Sequence, residues 1–277
     1  MSSGKKVNVA SDAPDQLGPL LQLDTDRQIN TQIQANLSLA NTDAQAADTA
    51  LSNAATLMDS AVQLATEGAN ATQTAATRLS MAQQVQDLLA EMVSYSQTQV
   101  QGRYIFSGDQ DQSPTYQIDL TSATGVDQLS NAPATQRIED PEGGTFSGSK
   151  NAQAVFGDTN SDGTPAADNV FAALNGLLNA LNNNDQQGCA DAVTALQQAG
   201  DHLNNMDAFY GTVENRIQHA TSFATQYDTQ LQTEIGNIQD ADIPTVALEL
   251  TQANTDLQAA FEAQAKMPNS TLFNYLG

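Results

Sequence analysis

Oxygen-bearing side chains at every second position make residues 158–163 the part of the sequence best suited to metal chemistry. Asp158, Asn160 and Asp162 precede Gly163, as in the first half of a calcium loop, where such oxygens converge on a hard cation. The twelfth loop position is Asn169 instead of a bidentate glutamate. We therefore predict a plain loop closed by Asx turns, and a calcium site stays open as the alternative.

Other residues that commonly bind metals or attack substrates are few. The 277 residues include one cysteine, Cys189, and two histidines, His202 and His219, which lack the spacing of a metal-binding pair. A single thiol allows no intramolecular disulfide and no zinc site built from thiolates. We expect Cys189 to be buried and both histidines to occupy polar positions on a helix, with no metal and no cofactor.

Catalytic motifs are also missing from the sequence. There is no nucleophile elbow, phosphate-binding loop or dinucleotide fingerprint. The carboxylates Asp109, Asp111, Asp140 and Glu142 lie in turn-like sequence, where solvation is more common than pairing for acid and base chemistry. The prediction is that the chain is not an enzyme.

The charge balance restricts the partners. The formal net charge is −23, with nine Lys and Arg residues in total. Nucleic acids and anionic membranes require positive charge on the protein, so neither is expected as a partner. No long apolar run indicates a signal peptide or a membrane span.

From Leu37 onward, residues at alternating steps of three and four are almost all apolar, as a buried helical face requires. This stripe consists of Leu37, Ala40, Ala44, Ala47, Leu51, Ala54, Met58, Ala61, Ala65 and Gly68. Because most of these residues are alanine, a partner helix can approach closely.

A second stripe with the same spacing lies far downstream. It consists of Ala199, Leu203, Met206, Tyr210, Val213, Ile217, Ala220, Ala224, Tyr227 and Leu231. Their common heptad spacing suits the two stripes to pack on each other. The sequence therefore predicts a mainly α fold, a long antiparallel helical bundle or coiled coil formed by the two chain ends.

The sequence between these stripes changes character twice. A turn at 67–72, in which Gly68 and Asn70 tolerate left-handed backbone, leads into a second helix at roughly 73–100 that ends at Gly102. The following segment, 108–168, is rich in Gly and Pro and reads as a small β-rich inserted outer domain. Strands are predicted at 104–106, 115–120, 136–139 and 145–147.

Helix is predicted to return near Asn169 and again after a turn that reaches Gly188. The predicted domains are 1–108, an N-terminal helical hairpin of the core; 109–168, a β-rich variable insert; 169–240, C-terminal helices that complete the core; and 241–277, a C-terminal assembly helix.

The last predicted helix, from Asp242 to Lys266, has an apolar face that covers about half of its circumference. The face consists of Ile243, Val246, Ala247, Leu250, Ala253, Leu257, Ala260 and Phe261. So wide a face predicts burial against more than one neighbour.

Short motifs in order along the chain resemble bacterial flagellin-type proteins. They are Ser2–Asn8, Ser11–Pro14, Gln63–Asn70, Gly102–Gly108, Val155–Gly157, Asn169–Phe171, Asn215–Ile217, Ile238–Asp242 and Leu272–Leu276. Each motif alone is weak, but together they cover both helical ends and leave residues 109–154 unmatched. Within the family, the combination is most similar to the proteins of the hook-filament junction, hook-associated protein 3.

The resemblance implies a structural role outside the cell. Subunits would be exported unfolded through the flagellar type III apparatus with the help of a chaperone. They would then self-associate in the bacterial flagellum, as an adaptor between a hook-associated protein and filament flagellin. Wide apolar helix faces gain full burial only when subunits stack, so assembly would order the chain ends.

Two sets of residues are predicted sites in this reading. Ile243, Val246, Leu250, Leu257 and Phe261 form the predicted subunit-assembly interface. The predicted insert-core junction consists of Arg103, Tyr104 and Phe106, which either anchor the insert to the bundle or contact a neighbouring subunit.

One departure from the family and two alternatives remain. Family members carry a further segment before the Ser2–Asn8 motif that pairs with the C-terminal helix, whereas Met1 stands directly before it here. Either the sequence is trimmed, its start is displaced, or this member lacks that segment, and we expect the C-terminal helix to be mobile or to make substitute contacts. The nearest alternative function is the major filament flagellin. A different class is the coiled-coil signalling domain of a chemoreceptor, which the Gly- and Pro-rich insert disfavours.

Overall fold

The computed structural model describes residues 4–7 and 12–266. In chain order the elements are α1 (Leu17–Gly68), α2 (Ala75–Ser96), β1 (Gln99–Val100), β2 (Arg103–Tyr104), β3 (Tyr116–Ile118), β4 (Val126–Gln128), β5 (Arg137–Glu139), β6 (Thr145–Ser147), α3 (Ala152–Phe156), α4 (Val170–Asn182), α5 (Gln186–Gln239) and α6 (Ile243–Ala265). The chain forms two compact units, residues 1–30 with 226–277, and residues 31–225. The Leu272–Leu276 motif lies outside the described residues.

In the larger unit, 31–225, the two predicted stripes form one buried core. Leu37 and Met58 on α1 and Leu203 on α5 are each at most 1% exposed. The side-chain amide of Gln34 donates to the carbonyl of Ala224 at 3.0 Å, which ties the same two helices together. The predicted pairing of the two stripes is thus confirmed, although α1 begins at Leu17, well before its apolar stripe.

The α1–α2 connection is held by a buried arginine. The Arg78 guanidinium donates to the carbonyls of Gly68 at 2.8 Å and Asn70 at 3.0 Å, and to the side chain of Asn184 at 2.6 Å. These bonds satisfy carbonyls that the end of α1 leaves free. One side chain therefore joins the α1–α2 turn to the α4–α5 turn, within a unit in which α2 packs on α4.

Gly68 has a different purpose from the one predicted. It is the last residue of α1, and its backbone is not left-handed. A Cβ atom here would lie 2.6 Å from Cδ2 of Leu181 and 3.1 Å from Sγ of Cys189. Close packing against α4 and α5 therefore requires the glycine.

Helix α2 ends at Ser96, earlier than predicted, and a tight hairpin follows. Strands β1 and β2 pair through Gln99 with Tyr104 and Val100 with Arg103. Gln101 and Gly102 between them have φ values of 52° and 79°, as a two-residue type I′ turn needs. Gly102 thus serves this hairpin and is not the residue that ends the helix.

The insert is made of short antiparallel pairs, β3 with β4 and β5 with β6, followed by α3. Strands β3, β5 and β6 fall within or at the predicted segments, whereas β4 and α3 are new. Tyr116, Val126, Phe146 and Phe156 are buried in the same cluster as the bundle helices. The insert therefore shares the core of residues 31–225.

The smaller unit joins the chain ends by backbone hydrogen bonds. The amide of Lys6 donates to the carbonyl of Gln239 at 2.7 Å, and the amide of Ala241 donates to that of Gly4 at 3.0 Å. Arg27 pairs with Asp228 at 3.3 Å across α1 and α5. Within the ranges 4–7 and 12–266, no helix is both long and apolar enough to cross a membrane.

Candidate functional site: the α6 face and the insert junction

Helix α6 presents the predicted interface residues to solvent. Ile243 is 63% exposed, Leu250 46%, Leu257 57% and Phe261 62%, and Val246 is partly exposed. No residue of α6 is buried. The described residues of this chain therefore do not supply the burial that so wide an apolar face predicts.

Residues at both ends of α6 fix its limits. Asp242 is the N-cap residue, with extended backbone, and its carboxylate accepts a hydrogen bond from the Thr245 hydroxyl at 2.6 Å. Pro244 lies in the first turn, where its missing N–H costs nothing. Lys266 is the C-cap residue, so the predicted limits agree with the structure within one residue.

An acidic row runs along one side of the apolar face. Asp242, Glu249 and Asp256 each stand directly before one of its members. If Ile243, Leu250 and Leu257 occupy heptad position a, the three acids occupy position g. The e positions of the same heptads are Ala247, Asn254 and Phe261, none of which carries a charge.

The insert junction begins with Arg103, which reaches α1. Its Nη2 lies 2.9 Å from Oδ2 of Asp43, and its Nη1 lies 3.7 Å from Oδ2 of Asp111. The hydrogen bond to Asp43 raises the pKa of the guanidinium further. Tyr104 is half-buried, and its amide donates to the carbonyl of Asp111 at 2.7 Å.

Phe106 is the centre of an aromatic cluster. The ring is fully buried, with its centroid 5.3 Å from Phe156 and 6.2 Å from Tyr210, both in edge-to-face geometry. The Tyr210 hydroxyl accepts a hydrogen bond from the amide of Lys150 at 3.1 Å, and burial raises the pKa of Tyr210 to about 12. Phe106 thus anchors the insert to α5. This favours the anchoring interpretation of the junction over a subunit contact.

Two cations extend this contact along α5. The Arg216 guanidinium lies 4.2 Å from the ring centroid of Phe146 and 3.6 Å from Asp140. Lys150 lies 5.0 Å from the ring centroid of Phe209. Cation–π geometry of this kind attracts a charge to the face of a ring. Asp111 and Asp140, predicted as solvated turn residues, are instead paired with arginines.

On α1 and α5, three carboxyl groups lie close together. Burial raises the pKa of Asp207, and Asp48 and Glu214 raise it further; burial and Asp48 also raise the pKa of Glu214. Asp207 and Glu214 each hold one buried oxygen without a hydrogen-bond partner. Among the described residues, no Lys, Arg or His lies within 4 Å of any of the three.

The 158–163 loop is closed by its own hydrogen bonds. Oδ1 of Asp162 accepts from the Thr164 amide and hydroxyl at 3.0 and 2.6 Å, and the Asn160 amide group donates to the Thr164 hydroxyl at 3.0 Å. This is the Asx-turn arrangement that was the main expectation. Within the described part of the chain, no group of three or more His, Cys, Asp or Glu residues is placed to hold a metal.

The cysteine is buried in the core, and one of the two histidines contacts the insert. Cys189 is fully buried, as predicted, and burial raises the pKa of its thiol. Nδ1 of His202 lies 3.1 Å from Asp168, and its Nε2 lies 3.0 Å from the carbonyl of Ala154. His219 is exposed on α5. His202 therefore makes one more contact between α5 and the insert.

A cleft of about 400 Å³ lies in the larger unit between α1, residues 103–105 and β5. Its lining mixes apolar side chains, such as Leu39 and Ile138, with the Arg103–Asp43 pair. Both arginines of the lining already have partners, since Arg137 bonds to Thr145 of its own hairpin.

Sequence reasoning missed Asp43, Lys150, Phe209 and Arg216 as junction residues. A usable signal was present, because a chain with nine Lys and Arg residues and a net charge of −23 offers each cation many acidic neighbours. The identity of those neighbours depends on the tertiary fold, since Arg103 and Asp43 are sixty positions apart.

Comparison with known families identifies both ends of the chain. Residues 1–111 match the bacterial flagellin N-terminal helical region, and residues 193–276 match the bacterial flagellin C-terminal helical region. The comparison with curated proteins found no match.

Solved structures with a similar fold include three flagellar proteins. A protein assigned as a flagellar hook-associated protein in Vibrio parahaemolyticus has a TM-score of 0.70 at 18% identity, covering 83% of this chain and 100% of that one. Bacillus cereus FlgL has a TM-score of 0.61 at 16% identity, with 80% and 100% covered. Flagellar hook associated protein-3 from Legionella pneumophila has a TM-score of 0.66 at 12% identity, with 78% and 98% covered. At these identities the likeness concerns the fold.

Proposed function

Because the chain belongs to the bacterial flagellin family, we propose that it is a structural subunit of the flagellum at the hook-filament junction, an adaptor between a hook-associated protein and the filament flagellin. The proposal is supported by the three similar structures, which are hook-associated proteins or FlgL and are covered almost completely by this chain. The Gly102–Gly108 and Leu272–Leu276 motifs also resemble the junction protein more than the filament flagellin.

The exposed face of α6 is the observation that carries an assembly role. Most helical stability in proteins comes from packing of the apolar face, and α6 buries no residue within the described part of the chain. Full burial of a Leu, Ile or Phe side chain contributes about 1.5–3 kcal/mol. A neighbouring subunit that covers the face of Ile243, Leu250 and Phe261 would therefore stabilise both α6 and the assembly.

The acidic row restricts how α6 meets a second copy of itself. In an antiparallel pair, position g faces position g, which would bring Glu249 and Asp256 toward the acids of the other helix. In a parallel pair, position g faces position e, which is uncharged here. We therefore assign a parallel arrangement to α6 helices of neighbouring subunits.

The proposal includes the route and the partners. The subunit is exported through the flagellar type III apparatus with a chaperone and works outside the cell against hook-associated protein and flagellin neighbours. The single cysteine is buried, so assembly outside the cell involves no disulfide. The role is structural, without catalysis or a cofactor.

Deletion of the gene tests the proposal in the source cells. Electron microscopy of the cells and blotting of the medium for flagellin are done together. Bare hooks with monomeric flagellin in the medium are the expected result. Hooks without flagellin anywhere would identify the chain as the filament subunit instead, and normal flagella would contradict a flagellar role.

A further inference from the structure

The segment 103–168 contacts both long helices of the larger unit. On the α1 side, Arg103 binds both carboxylate oxygens of Asp43, at 2.9 and 3.2 Å. On the α5 side the contacts are Arg216 with Phe146 and Asp140, Lys150 with Phe209 and Tyr210, Phe106 with Tyr210, and His202 with Asp168 and Ala154. One continuous piece of chain is therefore fastened to α1 at one place and to α5 at several.

These contacts lie at the middle of the α1–α5 pairing in this unit. The helices run antiparallel, with Gln34 bonded to Ala224 on one side of the contacts. On the other side, a Cβ atom at Gly200 would lie 3.7 Å from Cβ of Met58. Asp43 falls between the two α1 positions and Tyr210 between the two α5 positions. The segment thus crosses the seam between two points at which the helices meet directly.

Where the segment crosses the seam, α1 contributes only small side chains to it. The residues of α1 between 40 and 50 that are buried are all alanines, namely Ala44, Ala47 and Ala50. Alanine removes little apolar surface from water, so each turn of this stretch contributes little hydrophobic stabilisation.

On the same stretch, Asp48 faces Asp207 and Glu214 of α5, which hold buried oxygens without hydrogen-bond partners. Buried carboxyl oxygens that lose water without gaining a partner are unfavourable. The pairing of the two helices is therefore opposed by its own side chains at the level of the junction.

We propose that residues 103–168 act as a strap that holds α1 and α5 together across this weak stretch. The closing contacts are the charge-assisted bond of Arg103 to Asp43 and the contacts of Arg216 with Phe146 and Asp140. This inference goes beyond the flagellar role and does not depend on it, because it concerns the folded single chain. In the strap's absence, the α1–α5 seam opens locally near residues 40–50 and 205–216, while α2 and α4 stay packed.

The test is amide hydrogen exchange measured by mass spectrometry on the full chain. Arg103→Gln and Arg216→Gln each break one end of the strap. Arg137→Gln is the matched control, since Arg137 belongs to the β5–β6 hairpin that Arg216 contacts but bonds only to Thr145 of that hairpin. Circular dichroism confirms that each variant keeps its helix content.

Each strap variant is expected to speed exchange about tenfold in peptides from 40–50 and 205–216, the size of effect that loss of one charge-assisted contact produces. Peptides of α2 and α4 and the Arg137→Gln variant should keep the wild-type rate. Asp207→Asn, added to Arg216→Gln, should return the rate toward wild type, because it removes one of the groups that oppose pairing.

Two outcomes would overturn the strap. One is the same exchange rate in 40–50 and 205–216 for Arg103→Gln, Arg216→Gln and Arg137→Gln. The other is faster exchange spread evenly over all core helices, which would mean a general loss of stability and not local opening of one seam.

Discussion

Helices α5 and α6 follow each other in the chain, carry apolar stripes of similar spacing, and differ completely in their surroundings. Leu203, Tyr210 and Ile217 on α5 are at most 2% exposed, whereas no residue of α6 is buried. A stripe of apolar residues therefore predicts that a face will be covered, but not whether the cover comes from the same chain. On α5 it comes from α1 and the insert, and for α6 we assign it to neighbouring subunits.

The surroundings of the charged side chains also differ between residues 31–225 and α6. In residues 31–225, Arg103 and Arg216 lie against acids, and Lys150 lies against an aromatic ring. On α6 the row of acids beside the apolar face has no basic residue between 243 and 265 to balance it. In the first region the cations that join the insert to the bundle find their partners within the single chain, whereas on α6 an antiparallel contact with a second copy would bring two acidic rows together.

The largest expected effect comes from introducing charge into the α6 face. Leu250, Leu257 and Phe261 changed together to Asp should abolish incorporation into isolated flagella, because three carboxylates would have to be buried at a subunit contact. The bundle should keep its helix content by circular dichroism, since α6 contributes nothing to the buried core.

A matched variant distinguishes the effect of charge on the apolar face from the effect of charge anywhere on α6. Leu248, Thr255 and Ala259 lie on the opposite side of α6 and are exposed. Their simultaneous change to Asp adds the same charge to the same helix and should leave more subunits incorporated than the first variant does. Equal loss in both would assign the effect to charge on the helix as a whole, and normal incorporation of the first variant would contradict the assembly face.

Loss of a buried phenylalanine and loss of an exposed one should lower the free energy of unfolding by very different amounts. Phe106→Ala removes a fully buried ring from the aromatic cluster and should lower the free energy of unfolding by about 3–5 kcal/mol. Phe261→Ala, at a 62% exposed position, should change the same quantity by less than about 0.5 kcal/mol. Equilibrium denaturation of the single chain measures both, and similar losses would mean that α6 belongs to the folded core.

A smaller effect is expected from the carboxyl groups of the seam. The folded chain holds the Asp207 proton more tightly than the unfolded chain, because the pKa is raised. The stability that this group contributes is therefore complete below its unfolded pKa and is lost as pH rises through the folded value. Asp207→Asn should raise the melting temperature at pH 8 and have little effect near pH 3.

The control for this pH dependence is Asp201→Asn. Asp201 is exposed on the same helix, so its substitution changes the net charge equally without relieving a buried group. If both variants raise the melting temperature at pH 8 by the same amount, the gain reflects the general acidity of the chain and not the Asp48–Asp207–Glu214 group.

The sequence predicts the structure well where a helix shows a regular apolar period and clear end residues. The stripes from Leu37 and from Ala199, and the limits of α6, follow from periodicity and end residues, and the structure agrees with them. Gly68 was misinterpreted because its close contact with Leu181 and Cys189 depends on helices distant in sequence.

The short elements of the insert were harder to predict for a related reason. Strands β3, β4, β5 and β6 have three residues each, too few to show an alternating pattern, and β4 was not recognised. The contact of Arg216 with Phe146 joins residues seventy positions apart, so no local signal marks it. The α6 face was found from its pattern, and its exposure became apparent only in the folded chain.

The decisive experiment compares amide exchange of residues 243–265 in the free subunit and in isolated, intact flagella. We expect fast exchange along α6 in the free subunit and strong protection after assembly, with the α1–α5 seam of residues 31–225 protected in both. Protection of α6 already in the free subunit, or fast exchange of α6 within the assembled flagellum, would contradict the assignment of this face to subunit contacts.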